Sequence, residues 1–164
     1  MITKVQGSKS ILSNFYPCQI SVGKTTFPSA EHYYQFRKAK HHHKISLSRR
    51  ILAADNAYDA KALSKQIRPN RSWQDQRLTF IQTVLQLKFD ACPEFRQTLL
   101  ATRGFIDHSV PDDFWGTGTV DATGANEFGL ALARLRNQYQ RPAKMTCLVL
   151  GHRFVFDLNT RIND

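Results

Sequence analysis

Hydrophobic residues recur with helical spacing along most of the chain and predict a succession of α-helices. The longest predicted helix spans residues 72–90, where apolar residues fall on one face and form a stripe that would face the core. This stripe consists of Trp73, Phe80, Ile81, Val84, Leu85 and Leu87. Further helices are predicted at residues 45–54, 56–66, 93–102 and 128–139.

Short β-prone segments lie closer to the two ends of the chain. Residues 19–22 and 25–27 flank a Gly-Lys pair, which favours a hairpin. Residues 145–150 and 154–158 are also β-prone and predict a second hairpin. Residues 1–10 show little pattern, so no element is predicted there.

Another helix is predicted to begin after Ser29 and to end within residues 40–43. The Ser29 hydroxyl is a good acceptor for the free amides of a first helical turn. Glu31 then lies in that turn, where the helix dipole favours a carboxylate. Helical spacing places Glu31, Gln35 and Lys38 in one polar row. Taken alone, this row has two interpretations: Glu31 serves the helix dipole, or the whole row faces a ligand.

A loop of more than twenty residues begins near Phe105 and interrupts the helical pattern. It is rich in Gly and Asp and contains Trp115, and long structured loops of this kind are often functional. Gly116 and Gly118 would let the backbone approach a ligand closely. Asn126 lies where the next helix is predicted to begin, a position that suits an anion. The glycine spacing matches neither the dinucleotide fingerprint nor the Walker loop.

Charge is the unusual feature of the composition. Lys and Arg total 23 against 13 for Asp and Glu, which gives a formal net charge of +10 at pH 7. A field of that sign attracts polyanions and phosphorylated small molecules without distinguishing between them. No metal is expected, because neither the three dispersed cysteines nor histidines 41–43 form a metal-ligand pattern.

The length of the chain and the absence of targeting signals suggest a single domain over residues 1–164 in the cytoplasm. A chain of 164 residues is long enough to bury a core of its own. The sequence shows no apolar run of membrane-spanning length and no start resembling a signal peptide. An odd number of dispersed cysteines suits the reducing cytosol.

Short motifs occur along residues 12–136 in a fixed order. They are Ser13-Asn14-Phe15-Tyr16, Pro28-Ser29-Ala30-Glu31-His32-Tyr33-Tyr34-Gln35, Arg68 with Trp73 and Arg77, Lys88-Phe89, Leu99-Leu100-Ala101-Thr102, Asp112-Asp113-Phe114-Trp115-Gly116-Thr117-Gly118, Gly124-Ala125-Asn126-Glu127-Phe128-Gly129 and Leu135-Arg136. In this order they resemble the NADAR domain family. The resemblance implies a mainly α domain with small β elements (α+β), with a core at about residues 12–139 and a β-prone C-terminal extension at residues 140–164.

Two features depart from the family pattern. Many members carry Glu immediately before the His-Ser or His-Thr of the loop motif, whereas this chain has Asp107, a carboxylate one methylene shorter. The segment after Tyr139, including the second predicted hairpin, lies outside the pattern. The resemblance therefore leaves the reach of the Asp107 carboxylate and the role of the tail open.

The resemblance also implies an N-glycosidase, an enzyme that hydrolyses the bond between an amine nitrogen and a ribose carbon. Substrate classes in the family are a riboflavin-pathway ribosylaminopyrimidine phosphate and ADP-ribose attached to guanine bases. The expected partner is thus a phosphorylated ribosyl or ADP-ribosyl substrate, in the second case carried on DNA or RNA. No cofactor is expected, nor a membrane.

Four residues are candidates for the chemistry of such a reaction. Positive charge grows on the sugar ring, and a carboxylate can stabilise it, position a water or protonate the leaving nitrogen. Glu31 is the first candidate, with Asp107 and Asp112 as partners, and which of them acts as acid or base stays open. Lys88 either attacks the opened sugar as a Schiff base, if burial lowers its pKa, or is a surface lysine at the edge of the apolar stripe.

Five residues are candidates for binding the base and the ribose. Trp115 and Tyr16 can stack on a flat base, and Phe15 shares the motif of Tyr16. Asn14 and Asn126 offer amides to ribose hydroxyls. The structural alternatives are core filling for Trp115 and turn or cap roles for the two asparagines.

Arginines are the candidates for a phosphate group. Among Arg37, Arg68 and Arg77 we expect Arg37 to bind it, because Arg37 shares the helix of Glu31. Two other functions remain open. One is a non-catalytic module that binds ADP-ribose or nucleic acid, to which Asp107 gives some weight. The other is a basic nucleic-acid-binding protein without a pocket, which explains the charge but not the Gly/Asp/Trp loop.

Overall fold

A computed structural model describes residues 1–118, 123–140, 149–150 and 153–154. Within them the helices are α1 (Ala30–His41), α2 (Ile45–Leu52), α3 (Ala57–Ser64), α4 (Arg71–Ala91), α5 (Pro93–Ala101) and α6 (Glu127–Gln140). The strands are β1 (Ile2–Lys4), β2 (Pro17–Val22), β3 (Thr25–Ser29), β4 (Phe105–Asp107), β5 (Val149–Leu150) and β6 (Arg153–Phe154). The prediction of a mainly α fold with small β elements is confirmed. No helix of the described part is both long enough and apolar enough to cross a membrane.

Helix α1 begins where the sequence predicts. Ser29 has an extended backbone, and its hydroxyl accepts a hydrogen bond from the backbone N–H of His32. The same hydroxyl lies 2.8 Å from Nδ1 of His32, so the cap is fixed by a second contact. The helix ends at His41, within the predicted range. This cap sets the phase of α1 and therefore the direction in which Glu31 points.

Both predicted hairpins are found where the structure describes them. Strands β2 and β3 are antiparallel, with Val22 opposite Thr25, and Gly23 between them takes the left-handed conformation (φ 59°) that favours glycine. Strands β5 and β6 are also antiparallel, with Val149 opposite Phe154. The other residues of the second predicted hairpin lie outside the described residues.

A short parallel sheet was missed by the sequence pattern. Strand β1 pairs with β4, so that Ile2 lies opposite Phe105 and Lys4 opposite Asp107. Strands of three residues are too short to show the alternation by which strands are recognised. The sequence pattern placed the start of the long loop near Phe105, but residues 105–107 form β4 and the loop begins after Asp107.

The core is built around α4, which contacts α1, α5, α6 and β2. Trp73, Val84 and Leu85 of the predicted stripe are buried, as is Ile81. Phe80 and Leu87, also assigned to the stripe, are only partly buried at the edge of the core. A mainly apolar face on one long helix thus organises the packing of the helices that surround the cavity described below.

Candidate active site

A cavity of about 530 Å³ opens between α1, α3, α4 and the long loop. Its wall includes residues from five parts of the chain. The segment before β2 contributes Asn14 and Phe15, and α1 contributes Glu31, Tyr34, Gln35 and Lys38. Tyr58 and Lys61 come from α3, and Lys65 follows it directly. The remaining wall includes Trp73 and Arg77 of α4 and His108, Asp112 and Trp115 of the loop.

The polar row of α1 faces this cavity. Glu31, Gln35 and Lys38 all line it, as helical spacing predicts for residues on one face. Glu31 is only 5% exposed. The Oε1 of Glu31 accepts a 2.7 Å hydrogen bond from Nε2 of Gln35. The Oε1 of Gln35 is buried and has no partner among the described residues. Glu31 and Gln35 therefore line the cavity as a hydrogen-bonded pair in which the amide oxygen of Gln35 is left without a partner.

Burial controls the ionisation of Glu31. Removal from water raises the pKa of its carboxyl above the ordinary value, while the bond from Gln35 and the charges of Lys61 and Lys38 act in the opposite direction. A carboxyl group with a raised pKa in a cleft is a frequent sign of acid–base chemistry. Its environment therefore suits Glu31 for proton transfer.

Asp112 acts on the same part of the cavity as Glu31. Burial is the main cause of a raised pKa at Tyr34, and the negative charges of Glu31 and Asp112 both raise it further. Both carboxylates line the cavity, as does Tyr34. The structure thus brings together two of the three predicted carboxylates.

Asp112 also shapes the loop. Its Oδ1 accepts hydrogen bonds from the backbone N–H groups of Phe114 (3.0 Å) and Trp115 (2.7 Å), as in an Asx turn. The turn directs Trp115 to the cavity wall, where its ring meets the edge of Tyr34 at 5.9 Å between centroids. Trp115 is also partly buried and packs on the core. It therefore both lines the cavity, where a base would stack, and fills part of the core.

Asn14 and Phe15 lie beside the first turn of α1. The backbone carbonyl of Asn14 accepts a 3.0 Å hydrogen bond from the N–H of Glu31. The Oδ1 of Asn14 is buried and has no partner among the described residues. Phe15 packs against Tyr58 of α3, with ring centroids 4.8 Å apart. Both predicted binding residues therefore line the cavity, and Asn14 supplies a second free amide oxygen.

The loop glycines lie outside the cavity wall. A Cβ on Gly116 would come within 2.5 Å of the Val110 carbonyl oxygen and 2.9 Å of that of His108. Gly118 has a φ of 83° and faces the backbone of Gly124. Glycine is needed at these positions because the loop packs against itself, so the need for glycine here does not depend on a ligand.

Asn126 is also turned away from the cavity. Its Nδ2 donates to the Ile106 carbonyl (2.8 Å), and its Oδ1 accepts from the N–H of His108 (3.0 Å). Both ends of the amide are thus occupied by backbone groups of the segment around β4. These bonds hold the loop against the start of α6 and account for the Asn126 amide without a contact to ribose or an anion.

Asp107 and Tyr16 are not part of the cavity wall either. The Oδ2 of Asp107 accepts a 2.8 Å hydrogen bond from the Ser109 hydroxyl, and its buried Oδ1 has no partner among the described residues. The hydroxyl of Tyr16 donates to Glu94 on α5 at 3.2 Å. The cavity wall therefore contains two of the three predicted carboxylates, and it does not contain Tyr16.

The arginine that reaches the cavity is Arg77 and not Arg37. The guanidinium carbon of Arg37 lies 5.0 Å from the Phe80 ring centre, on another face of α1. That of Arg77 lies 3.2 Å from the Phe114 ring centre, and its buried Nε has no partner within the described ranges. Sharing a helix with Glu31 was a poor guide, because residues six positions apart fall on different helix faces.

Lys88 is fully buried, so its interpretation as a surface lysine is wrong. Its Nζ donates to the backbone carbonyls of Ile11 (2.7 Å) and Ser13 (2.6 Å). Burial lowers the pKa of Lys88 to about 8, against the opposing effect of Cys18 and Cys92. A lowered pKa is the condition stated above for a Schiff-base lysine, but Lys88 does not line the cavity. Its bonds hold the segment that carries Asn14.

We expect the stability contributed by Lys88 to depend on pH. In the unfolded chain its pKa is 10.5, so between pH 8 and 10.5 the unfolded state binds more protons than the folded state. The free energy of unfolding therefore rises with pH in this window, by up to about 3 kcal/mol from this group. Denaturation of the wild type and Lys88→Met at pH 7.5, 9 and 10.5 measures the difference. Lys24→Met, a change in the exposed β2–β3 turn, is the control, and parallel profiles for wild type and Lys88→Met would contradict the assignment.

Several cavity residues were missed by the sequence pattern. His108 lies in the wall, where its Nδ1 donates to the Trp115 carbonyl at 3.0 Å and burial lowers its pKa. Tyr58, Lys61 and Lys65 come from α3 and the residue after it, a segment that carries none of the quoted motifs. They reach the cavity because α3 packs on α1, and the only signal in the sequence is their helical spacing, which does not say what the face meets.

Comparisons with known proteins agree with this architecture. The family model described as the NADAR domain matches residues 2–140. A riboflavin biosynthesis protein of Vibrio vulnificus is 36% identical over 136 residues, which are 80% of this chain and 36% of that protein. The chain thus spans about a third of the length of that relative.

Two further comparisons involve Escherichia coli. Its N-glycosidase YbiA is 33% identical over 132 residues, 77% of this chain and 79% of that protein. The NMR structure of YbiA matches with a TM-score of 0.68 at 24% identity, covering 88% of this chain and 90% of that one. Relatives of similar length are therefore named N-glycosidases, and the fold is shared. The chain belongs to the NADAR domain family.

Proposed function

We propose that the chain is an N-glycosidase that hydrolyses the bond between ribose C1 and an amine nitrogen in a phosphorylated ribosyl substrate. The observation that carries the proposal is the position of Glu31, a buried carboxyl group with a raised pKa, in a cavity of about 530 Å³. A volume of this size accommodates a small ligand. The names of the curated relatives support the reaction class.

The proposed reaction breaks the C1–N bond and adds the hydroxyl of a water to C1. Glu31, which burial favours in the protonated form, donates its proton to the leaving nitrogen. Positive charge develops on the ribose ring as the bond breaks. Asp112 lies in the same wall, where a carboxylate stabilises that charge and accepts a proton from the attacking water.

The unpartnered amide oxygens suit the ribose. The Oδ1 of Asn14 and the Oε1 of Gln35 are buried acceptors without a partner among the described residues. Buried polar atoms are normally satisfied, so a ligand that supplies donors, such as the hydroxyls of a ribose, would complete both. Trp115 provides an aromatic face for the base, a contact of about 1–3 kcal/mol per base in nucleic-acid sites.

The charge of the chain supports a second substrate. A net charge of +10 favours association with a polyanion, which fits ADP-ribose attached to guanine in DNA or RNA. The name of the Vibrio relative favours the smaller ribosylaminopyrimidine phosphate. A protein that binds ADP-ribose without cleaving it is the non-catalytic alternative.

Product release tests the function. The wild type is incubated with a ribosylaminopyrimidine 5′-phosphate and, separately, with guanine-ADP-ribosylated DNA, each with and without a chelator. We expect release of ribose 5-phosphate from the first substrate, unchanged by the chelator. Release of ADP-ribose alone would select the nucleic-acid substrate. Binding of ADP-ribose without release of either product would overturn the proposal in favour of the binding module.

A further inference from the structure

We propose that Lys38, Lys61 and Lys65 form the phosphate-binding end of the cavity and select substrates whose ribose carries a terminal phosphate. The proposal rests on the function proposed above and extends it, because it assigns the phosphate to one end of the cavity. It also replaces the expectation that Arg37 binds this group. The three lysines all line the cavity.

Two packed segments bring these lysines together. Helices α1 and α3 are in contact, and Nζ of Lys38 donates to the backbone carbonyl of Ser64, the last residue of α3, at 3.4 Å. Lys61 and Lys65 are four residues apart, a spacing that places them on one side of the segment. Nζ of Lys61 lies 5.4 Å from the Phe15 ring centre, at the cavity wall. Lys38 and Lys61 are thus close enough for the charge of Lys61 to lower the pKa of Lys38, and Lys65 follows Lys61 by about one helical turn.

These ammonium groups lack an ionic partner. Within residues 1–118 and 123–140 no carboxylate forms a salt bridge with any of the three lysines, and the pair found there is Arg134 with Glu127. Lys38 is half-buried, and burial is the main cause of its lowered pKa; the charge of Glu31 opposes this shift and the positive charge of Lys61 adds to it. A cation partly removed from water without a salt-bridge partner is costly. A phosphate oxygen placed there would form short charge-assisted hydrogen bonds and offset this cost.

The position of the lysines relative to Glu31 fits one sugar unit. Lys38 lies on the same face of α1 as Glu31 and seven residues further along, about 10 Å along the helix axis. Gln35, whose free amide oxygen suits a ribose hydroxyl, lies between them. A ribose with C1 near Glu31 therefore directs its other end toward Lys38. Arg77 also lines the cavity, but its guanidinium lies over the Phe114 ring.

A different role is that the lysines act only on Glu31. The charges of Lys61 and Lys38 oppose the rise in the pKa of Glu31. If that were their whole effect, removing them would alter catalysis equally for substrates with and without phosphate. A phosphate subsite instead predicts a loss confined to phosphorylated ligands, so the two roles differ in a measurable way.

Ligand binding is the direct test. Calorimetric titrations with ribose 5-phosphate and with ribose are made on the wild type, Lys61→Met and the double variant Lys38→Met/Lys61→Met. We expect the affinity for ribose 5-phosphate to fall at least about tenfold in Lys61→Met and further in the double variant, with the affinity for ribose unchanged. The matched control is Lys40→Met, which removes an exposed lysine of α1 outside the cavity wall.

Equal losses for both ligands, or no loss in Lys61→Met, would overturn the phosphate subsite. Because Lys61 is exposed, its replacement leaves the packing of α3 intact, and thermal unfolding of each variant checks this. The result is independent of turnover. Lysine-dependent binding of ribose 5-phosphate without release of product would retain the subsite and reject the glycosidase. Equal turnover of substrates with and without the 5′-phosphate would retain the glycosidase and reject the phosphate subsite.

Discussion

Glu31→Gln is expected to lower turnover by about 10²- to 10⁴-fold and to leave the protein folded. Glutamine has nearly the shape of glutamate, and its carbonyl oxygen can accept the hydrogen bond that Gln35 now donates to Glu31. It can neither give a proton to the leaving nitrogen nor carry the negative charge of a carboxylate. Steady-state kinetics on the substrate that the wild type cleaves measure the loss, which should appear in kcat more than in KM.

Stability measurements separate this catalytic role from a structural one. Because burial raises the pKa of Glu31, the folded state binds a proton more tightly than the unfolded chain. The resulting stabilisation is fully present below pH 4.5 and is lost as the pH rises through the folded-state pKa. At pH 7 the Glu31→Gln variant should thus be at least as stable as the wild type. As the pH falls, the free energy of unfolding of the wild type should rise relative to that of the variant.

A conservative change elsewhere is the control for this experiment. Glu94→Gln alters an exposed carboxylate of α5, outside the cavity wall, and should retain turnover. Wild-type rates in Glu31→Gln would remove Glu31 from the mechanism. Loss of activity accompanied by unfolding at pH 7 would assign Glu31 to the fold, which is the first interpretation that its place in α1 allowed.

The polar row of α1 could be predicted because it depends on local sequence alone. Ser29 fixes the start of the helix, and the spacing of Glu31, Gln35 and Lys38 then fixes their shared face. The same reasoning gave the helix positions and the first hairpin. It could not tell what the face meets, since the opposite wall comes from α3 and the long loop.

Lys88 shows where such reasoning ends. Its spacing puts it at the edge of the apolar stripe, where lysines are usually exposed. Its burial depends on the carbonyls of Ile11 and Ser13, which are 77 and 75 residues away in the chain. Asn126 is a similar case, because its amide is occupied by Ile106 and His108. Motif membership marked these residues as important without distinguishing contact with a ligand from support of the site.

Gly129→Ala is expected to lower the free energy of unfolding by about 2–4 kcal/mol. Gly129 lies in the first turns of α6, and a Cβ built there would overlap the Ile106 carbonyl oxygen and come within 2.6 Å of both terminal atoms of the Asn126 side chain. These groups cannot simply move. Ile106 belongs to β4, which pairs with β1, and its carbonyl accepts the bond from Asn126.

The same substitution tests whether the support of the loop matters for the site. Asn126 also binds the N–H of His108, which in turn contacts the Trp115 carbonyl. Displacing Asn126 should therefore lower turnover in the molecules that remain folded, in addition to destabilising the fold. Urea denaturation gives the stability, and activity corrected for the folded fraction gives the effect on the site.

Gly23→Ala distinguishes overlap from backbone strain. Gly23 has a φ of 59° and open space around it, so alanine there costs only the strain of the left-handed conformation, about 1–2 kcal/mol, and should leave turnover unchanged. Alanine at position 129 adds no such backbone strain, so the destabilisation expected there comes from the overlap alone. If Gly129→Ala were no more destabilising than Gly23→Ala, α6 and β4 would have room to separate. If it were destabilising yet fully active per folded molecule, the cavity would not depend on the loop position that Asn126 maintains.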